Sequence, residues 1–296
     1  MSSTPVWIAY FWLIGQFNVD GLLPAFTGFI YFLLIFSCMW TYAAKEGVRS
    51  RAVAFSFLFF MSYGTFFETI SGIRSSLVFA VFFWCIYREA VLQKSPIAHL
   101  PAYVAAALMH PVGMAVLLFR LTMLVFQKST KRAGRLAYAG VCVAAIAFTA
   151  YYGQPYIDAM LDKVDHYLIN DVYSNVWETA IHSVLVLAAL LVLAKQRSIT
   201  RFRCDSVALT NLALVETVLI AVSVAGFFLN YAIFHRFSSF LGMFVSISLM
   251  EVQNASDPGD KSFKGFMTAV TLCALVMLAL ACVQGNLCAY KFMLLD

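Results

Sequence analysis

The chain has 296 residues, a formal net charge of +5, 62% hydrophobic residues and only 12% charged residues. Soluble domains average about 45–50% apolar and about 25% charged residues, so this chain lacks the charge to cover a water-facing surface of its size. A soluble enzyme, a nucleic-acid binder and a disordered protein are therefore excluded, and the surplus apolar surface is predicted to face lipid.

Apolar runs long enough to cross a bilayer core about 30 Å thick recur along the chain. In chain order these runs are 21–44, 52–70, 77–92, 136–152, 176–194, 207–229, 237–250 and 266–283. The run 6–17 is apolar but short, which is typical of an interfacial or re-entrant segment. We expect an all-α polytopic membrane helix bundle of about ten transmembrane helices, with residues 1–296 forming one transmembrane domain.

The apolar run 97–126 is interrupted by His110 and Pro111. It is either one kinked crossing or two short helices that turn back at Pro111. Fifteen of the 20 Lys and Arg residues lie in the loops 45–51, 88–94, 128–135, 195–203 and 261–264. A hairpin places all fifteen on one side of the membrane, which the positive-inside rule makes cytoplasmic, whereas a single crossing divides them. The charges therefore predict the hairpin.

The hairpin also predicts the depth of His110. The segment from Ile97 to His110 rises about 20 Å as a helix, which is about 10 Å less than the thickness of a bilayer core. His110 is thus expected below the outer surface, at the bottom of a cavity that opens outward, and ionisable groups at such depth are usually functional. The loop 153–175 is expected on the periplasmic side and carries four Asp residues. It either folds over the cavity, binds sugar hydroxyls or is simply solvated.

Two arginines predict an anion site on the same side. Arg74 leads into the span 77–92 and Arg236 leads into the span 237–250. Both are expected at outer N-termini of inward-running helices, where backbone N–H groups and the helix dipole favour an anion. Their planar guanidinium groups match phosphate oxygens. Together with His110, which precedes a third inward-running helix, they predict a diphosphate site.

Each of these residues also has a plainer interpretation. Either arginine is alternatively an interfacial side chain that extends to the lipid headgroups, and His110 is alternatively a core histidine that caps a backbone carbonyl. His235 is either a headgroup contact or a second phosphate ligand. Arg120 lies inside its short helix and is expected to pair with Glu216 or another acid.

The segment 71–123 contains SGIRSSLVFAVFFWCIYREA followed by PAYVAAALMHPVGMAVLLF, and a later segment reads FHRFSSFLGMF. This order of motifs resembles the EpsG-like and Wzy-like family of bacterial polysaccharide polymerases, which make O-antigen or exopolysaccharide. The family's pattern is Ile-Arg-Gln-x-Leu-Ala, a span, a short helix that ends in His, and a second Arg that opens a later span. The resemblance covers roughly residues 20–250, and Ser75 and Val78 replace the family's Gln and Ala.

The resemblance implies a GT-C-like membrane fold and a glycosyltransferase in the bacterial inner membrane, with its active site facing the periplasm. Donor and acceptor would be undecaprenyl-diphosphate-linked oligosaccharides for lipopolysaccharide, capsule or exopolysaccharide, and a chain-length regulator protein would be a partner. Arg74 and Arg236, with His235, would bind the diphosphate. The donor is already activated and arginines replace a divalent cation, so we expect neither a metal nor a cofactor.

The acceptor hydroxyl needs a base or an orienting group. His110 is the first choice because histidine titrates near neutral pH, and Glu68 is the second, although Glu68 is also a candidate partner of Arg74. A transporter or flippase of an anionic lipid-linked glycan would also place cations at membrane depth, but the sequence has no two related halves. A ligase that joins glycan to a lipid core has similar chemistry and stays an alternative.

Overall fold

The structure is a computed structural model, which describes residues 4–19, 21–63, 73–126, 140, 143, 176–202, 207–257 and 259–293. Within these ranges it contains ten helices and no strand: α1 (Pro5–Gly15), α2 (Leu22–Glu46), α3 (Ser50–Ser62), α4 (Ile73–Ala90), α5 (Pro96–Met109), α6 (Pro111–Phe126), α7 (Val176–Phe202), α8 (Val207–Leu229), α9 (Tyr231–Ala255) and α10 (Lys261–Met293). Five of them, α2 and α7 to α10, are long and apolar enough to cross a membrane. The prediction of an all-α polytopic membrane bundle is confirmed.

Some predicted features lie outside the described residues. These are the span 136–152 apart from residues 140 and 143, the loop 153–175 and the carboxyl of Glu68. The short apolar run 6–17 corresponds to α1, whose eleven residues rise about 16 Å. That length is too short for a crossing, and an interfacial or re-entrant position for α1 stays a prediction.

The described helices form two compact groups. The first group contains α1, α2 as far as Cys38, α4, α5 and α6, with residues 210–214 of α8. The second group contains the remainder of α2 and α8, together with α3, α7, α9 and α10. One transmembrane domain over the whole chain stays a prediction.

A single carboxylate shows that α5 and α6 form a hairpin in the first group. Glu89, near the end of α4, lies 3.3 Å from His99 Nδ1 through its Oε1 atom. Its Oε2 atom accepts hydrogen bonds from Arg120, from Nε at 2.9 Å and from Nη2. In one continuous helix, His99 and Arg120 would be about 30 Å apart along the axis. Because both reach Glu89, α5 and α6 must run side by side, and the predicted hairpin is confirmed.

The Glu89–His99–Arg120 cluster is buried. The side chains of Glu89 and Arg120 are each 1% exposed, so their charges interact in a medium of low dielectric constant. Burial of this kind is tolerable only because each charge has a partner with good geometry. Arg120 was expected to pair with Glu216 or another acid, and the acid that it contacts is Glu89 of α4.

In the second group, α9 is the central helix. Every residue from Phe237 to Met250 is buried, and both α3 and α7 pack against α9. Gly242 permits the closest of these approaches, because a Cβ atom there would lie 2.6 Å from the Tyr63 ring just after α3. The α10 helix packs against α7 and α3 and is more exposed.

Contacts at the two ends of this group give the helix directions. Tyr231, the first residue of α9, donates its hydroxyl proton to Glu178 in the first turn of α7, so α7 and α9 begin at the same end. Lys195, late in α7, donates to Ser262 Oγ at 3.0 Å near the start of α10, so α10 runs the opposite way. Asn254, at the end of α9, donates to the Glu46 carbonyl at 3.3 Å. Lys195, Glu46 and the start of α10 therefore lie at the end where α9 terminates.

The buried cluster predicts a specific pattern of stability. We expect Arg120→Met to lower the stability by about 3–5 kcal/mol, because it leaves the Glu89 charge buried without its guanidinium partner. The thermal unfolding midpoint of the detergent-solubilised protein would measure this change. The double variant Glu89→Gln with Arg120→Met removes both charges and should recover most of the lost midpoint. The exposed Arg51, changed to Met, is the control, and an Arg120→Met midpoint equal to that of the control would contradict the prediction.

Candidate functional site

Arg74 lies at the start of α4 in the first group, as predicted. It is the second residue of that helix, and its side chain is exposed. Its guanidinium carbon lies 5.7 Å from the centre of the Trp7 ring on α1. Such a contact is worth about 0.5–1 kcal/mol at an exposed site, and it orients the cation without neutralising its charge. The sequence does not reveal this pairing, since the contact depends on how α1 packs.

His110 separates α5 from α6 and caps the second helix. Its backbone is extended, with φ −155° and ψ 142°, which ends α5. Its Nδ1 atom accepts a hydrogen bond of 3.1 Å from the backbone N–H of Val112, the second residue of α6. An N-cap side chain satisfies a backbone donor in this way. An Nδ1 atom that accepts must lack a proton, so the neutral ring carries its proton on Nε2. In this arrangement His110 is suited to donate a hydrogen bond from Nε2.

The hairpin turns tightly after His110 because residue 113 is glycine. A Cβ atom on Gly113 would lie 2.5 Å from the Ala106 carbonyl oxygen and 2.8 Å from the Ala107 Cα atom. Both neighbours are backbone atoms of α5, which cannot move independently of their helix. Gly113 therefore allows the first turn of α6 to contact the last turn of α5, and this contact positions His110.

We expect Gly113→Ala to separate α5 from α6 near His110 and to destabilise the protein by about 1–3 kcal/mol, the usual cost of overpacking. The matched control is Gly265→Ala on α10, where a Cβ atom would meet nothing within 4 Å. The control should be neutral or slightly stabilising, because alanine has the higher helix propensity. Thermal midpoints of the two variants in detergent measure the difference. Equal midpoints would contradict a close contact at residue 113.

The structure corrects the predicted position of Arg236. The sequence interpretation placed Arg236 immediately before a helix that begins at 237, whereas α9 begins at Tyr231. The reason is an N-cap: Asn230 Oδ1 accepts from the backbone N–H groups of Ala232 at 2.8 Å and Ile233 at 3.3 Å. His235 and Arg236 consequently lie in the second turn of α9, with backbone N–H groups inside the helix. Only the side chain of Arg236 can contribute to an anion site there.

Glu178 forms a polar cluster with residues of α9 and α10 that sequence reasoning missed. Its Oε2 atom accepts a hydrogen bond from the Tyr231 hydroxyl, and its Oε1 atom accepts one of 2.6 Å from Gln284 Nε2. The same Oε2 atom lies 3.9 Å from His235 Nε2. Three helices of the second group therefore meet at this carboxylate. The only sequence signal was its location in the first turn of a predicted span, where the helix dipole favours a negative charge.

His182 extends the cluster into the protein interior. It lies one turn after Glu178 on α7 and is buried. Its ring centre lies 4.3 Å from that of His235, at an angle of 72°. Its Nδ1 atom lies 2.9 Å from Ser238 Oγ on α9, and that hydroxyl donates to the Phe234 carbonyl. His182 is therefore held from two directions and supports the position of the His235 ring.

The predicted site residues thus divide between the two groups. Arg74 and His110 belong to the first group, Arg236 and His235 belong to the second, and Glu68 lies outside the described residues. Within the described ranges, no group of three or more His, Cys, Asp or Glu side chains is arranged to hold a metal ion. The groups available for chemistry are guanidinium, imidazole and carboxylate.

Fold and side chains define a class: a polytopic membrane protein that carries arginine, histidine and carboxylate side chains in the early turns of its helices. The family model described as the EpsG family matches residues 3–292, and the chain belongs to the EpsG family. The resemblance predicted from the sequence motifs is confirmed, and the match extends beyond residues 20–250. No curated protein and no solved structure matches the chain. Membership of this family suggests a polysaccharide polymerase-like function of the glycosyltransferase type.

Proposed function

We propose that this protein polymerises undecaprenyl-diphosphate-linked oligosaccharide repeat units at the periplasmic face of the bacterial inner membrane. The observation that carries the proposal is the EpsG family match over residues 3–292. The growing glycan leaves its lipid diphosphate and joins a hydroxyl of the incoming repeat unit. O-antigen, capsule and exopolysaccharide are all products of this class of reaction.

The proposed orientation has support from the second group of helices. Lys195 donates to Ser262 at the end of this group where α9 terminates, and the positive-inside rule assigns an end that carries basic residues to the cytoplasm. His235 and Asn254 are separated along α9 by about 29 Å, close to the thickness of a bilayer core. The cluster around Glu178 and His235 then faces the periplasm.

In this proposal, Arg74 and Arg236 each contribute a guanidinium to the diphosphate leaving group. Negative charge grows on the diphosphate as the glycosidic bond breaks, so a fixed cation stabilises the transition state more than the ground state. One such preorganised donor in a site that excludes water is worth about 3–4 kcal/mol. Because guanidinium groups supply the positive charge, the reaction is metal-independent, and polymer formation by the purified protein should persist in EDTA.

His110 acts in the proposal as an orienting donor. Its Nδ1 atom caps α6, and its Nε2–H group can bind an oxygen of the substrate. The sequence interpretation preferred His110 as the base for the acceptor hydroxyl. Neutral His110 could take a proton only at Nδ1, and that step would break the cap. The orienting role is compatible with an intact hairpin.

The arginine assignments predict a defined block in polymerisation. In a strain that lacks the chain, Arg74→Ala and Arg236→Ala should each restore no polymer longer than one repeat unit, although both variants insert normally. The measurement is the gel ladder of surface polysaccharide, with membrane abundance measured by immunoblot. Arg51→Ala, at the start of α3, is the control and should restore the full ladder.

A full-length ladder from Arg74→Ala would refute the diphosphate role of that arginine. Polymer of normal length that stays on the carrier lipid in the deletion strain would identify a ligase instead of a polymerase. Absence of surface glycan together with intracellular lipid-linked repeats would identify a flippase.

A pair of substitutions separates the two roles of His110. His110→Ala removes both the cap and the imidazole, and loss of an N-cap costs about 1 kcal/mol. His110→Asn keeps a strong capping residue but lacks the Nε2–H donor in the same position. We expect normal membrane abundance and little polymer from His110→Asn. Recovery of the wild-type ladder by His110→Asn would mean that His110 serves only as a cap.

A further inference from the structure

The carboxylate of Glu178 is restrained at both of its oxygens and also remains partly open to solvent. Tyr231 from α9 and Gln284 from α10 donate to its two oxygens, so it cannot rotate without losing a hydrogen bond. Its side chain is nevertheless 32% exposed, and that of His235 is 23% exposed. A substrate can therefore reach both groups, whereas His182 behind them is buried.

The gap between Glu178 and His235 has the size of one hydroxyl group. Glu178 Oε2 and His235 Nε2 are 3.9 Å apart, which is too far for a direct hydrogen bond. A single oxygen atom about 2.8 Å from each of them is compatible with this separation. Either the carboxylate or the neutral imidazole can accept the single proton of such a hydroxyl.

Neighbouring side chains fix the imidazole in this position. The buried His182 ring lies edge-on to the His235 ring. The centre of the Tyr231 ring, one turn earlier in α9, lies 5.8 Å from the centre of the His235 ring. Arg236 follows His235 directly in α9. The other helix packed against α9 is α3, and its sole charged residue is Arg51, at the start of α3. The Glu178 carboxylate is thus the negative charge that faces His235 within the described part of this group.

We propose that Glu178 and His235 receive the acceptor hydroxyl and that His235 is the general base of glycosyl transfer; this inference rests on the proposed polymerase function. The hydroxyl O–H bond breaks and its proton moves to His235 Nε2, while the oxygen forms a bond to the anomeric carbon of the donor. The bond from that carbon to the diphosphate breaks, and its electron pair leaves on the diphosphate oxygen. Glu178 stabilises the imidazolium that results, and the proton then passes to water.

The proposal gives Glu178 and His235 different duties. His235 is the catalytic residue, because it touches the reacting hydroxyl and holds its proton. Glu178 lies beside the same hydroxyl and supplies the compensating charge. His182 is a positioning residue, which acts through the His235 ring. General base catalysis of this kind contributes about 10²–10⁴-fold to a rate.

Chemical rescue tests the assignment. The probe is the set of lipid-linked repeats in membranes of the strain that lacks the chain, to which purified detergent-solubilised protein is added. We expect His235→Ala and Glu178→Ala to slow polymer formation by at least about 10²-fold. Added imidazole should restore part of the rate of His235→Ala, and added formate should restore part of the rate of Glu178→Ala. A merely structural role would respond to neither small molecule.

Three further variants keep the test decisive. Glu46→Ala removes an exposed carboxylate at the opposite end of the group and should retain the wild-type rate. If either alanine variant fails to fold, Glu178→Gln and His235→Gln preserve side-chain volume and should be folded and slow. Wild-type rates from both glutamine variants, or alanine variants that no small molecule restores, would overturn the base assignment. A wild-type protein that makes no polymer from the same membranes would instead contradict the proposed function.

Discussion

The shared carboxylate of Glu89 is the constraint on which the first group depends. A buried charge in a membrane protein is costly unless a partner lies within hydrogen-bonding distance. Glu89 meets that requirement only when His99 and Arg120 arrive from opposite sides of a helix break. The hairpin of α5 and α6 is therefore the chain path that brings both His99 and Arg120 to this carboxylate.

The sequence predicts the hairpin for a reason that does not involve Glu89. Counting lysines and arginines requires an extra reversal of the chain between the loops 88–94 and 128–135, and His110 with Pro111 marks the point. The partner of Arg120 was not predictable, because Glu89 stands beside Arg88 at the end of a span and looks like an ordinary loop acid. Pairing of that kind depends on how α4, α5 and α6 pack.

The second group illustrates a different limit. Arg236 was expected before a helix because the polar pair of His235 and Arg236 interrupts the apolar pattern, yet Asn230 caps the helix five residues earlier. Capping chemistry depends on one side chain and outweighs the hydropathy of the turn that follows. Glu178 went unnoticed for a related reason. It has no motif around it, and its role depends on Tyr231 and Gln284, which lie far away in the sequence.

The group that contacts a charged side chain distinguishes structural from reactive residues better than the depth of that side chain in the membrane does. Arg120 and Arg74 are the same residue type in the same group, but Arg120 is buried against a carboxylate and Arg74 is exposed over an indole ring. The carboxylate cancels the charge of Arg120, so an arriving anion gains little from it. The indole attracts Arg74 through its quadrupole and leaves the full positive charge in place. Glu178 is restrained by two neutral donors in the same way, so its negative charge stays available to an imidazolium. A charge that is oriented but not neutralised can respond when charge develops on a substrate, and this is the property that electrostatic catalysis requires.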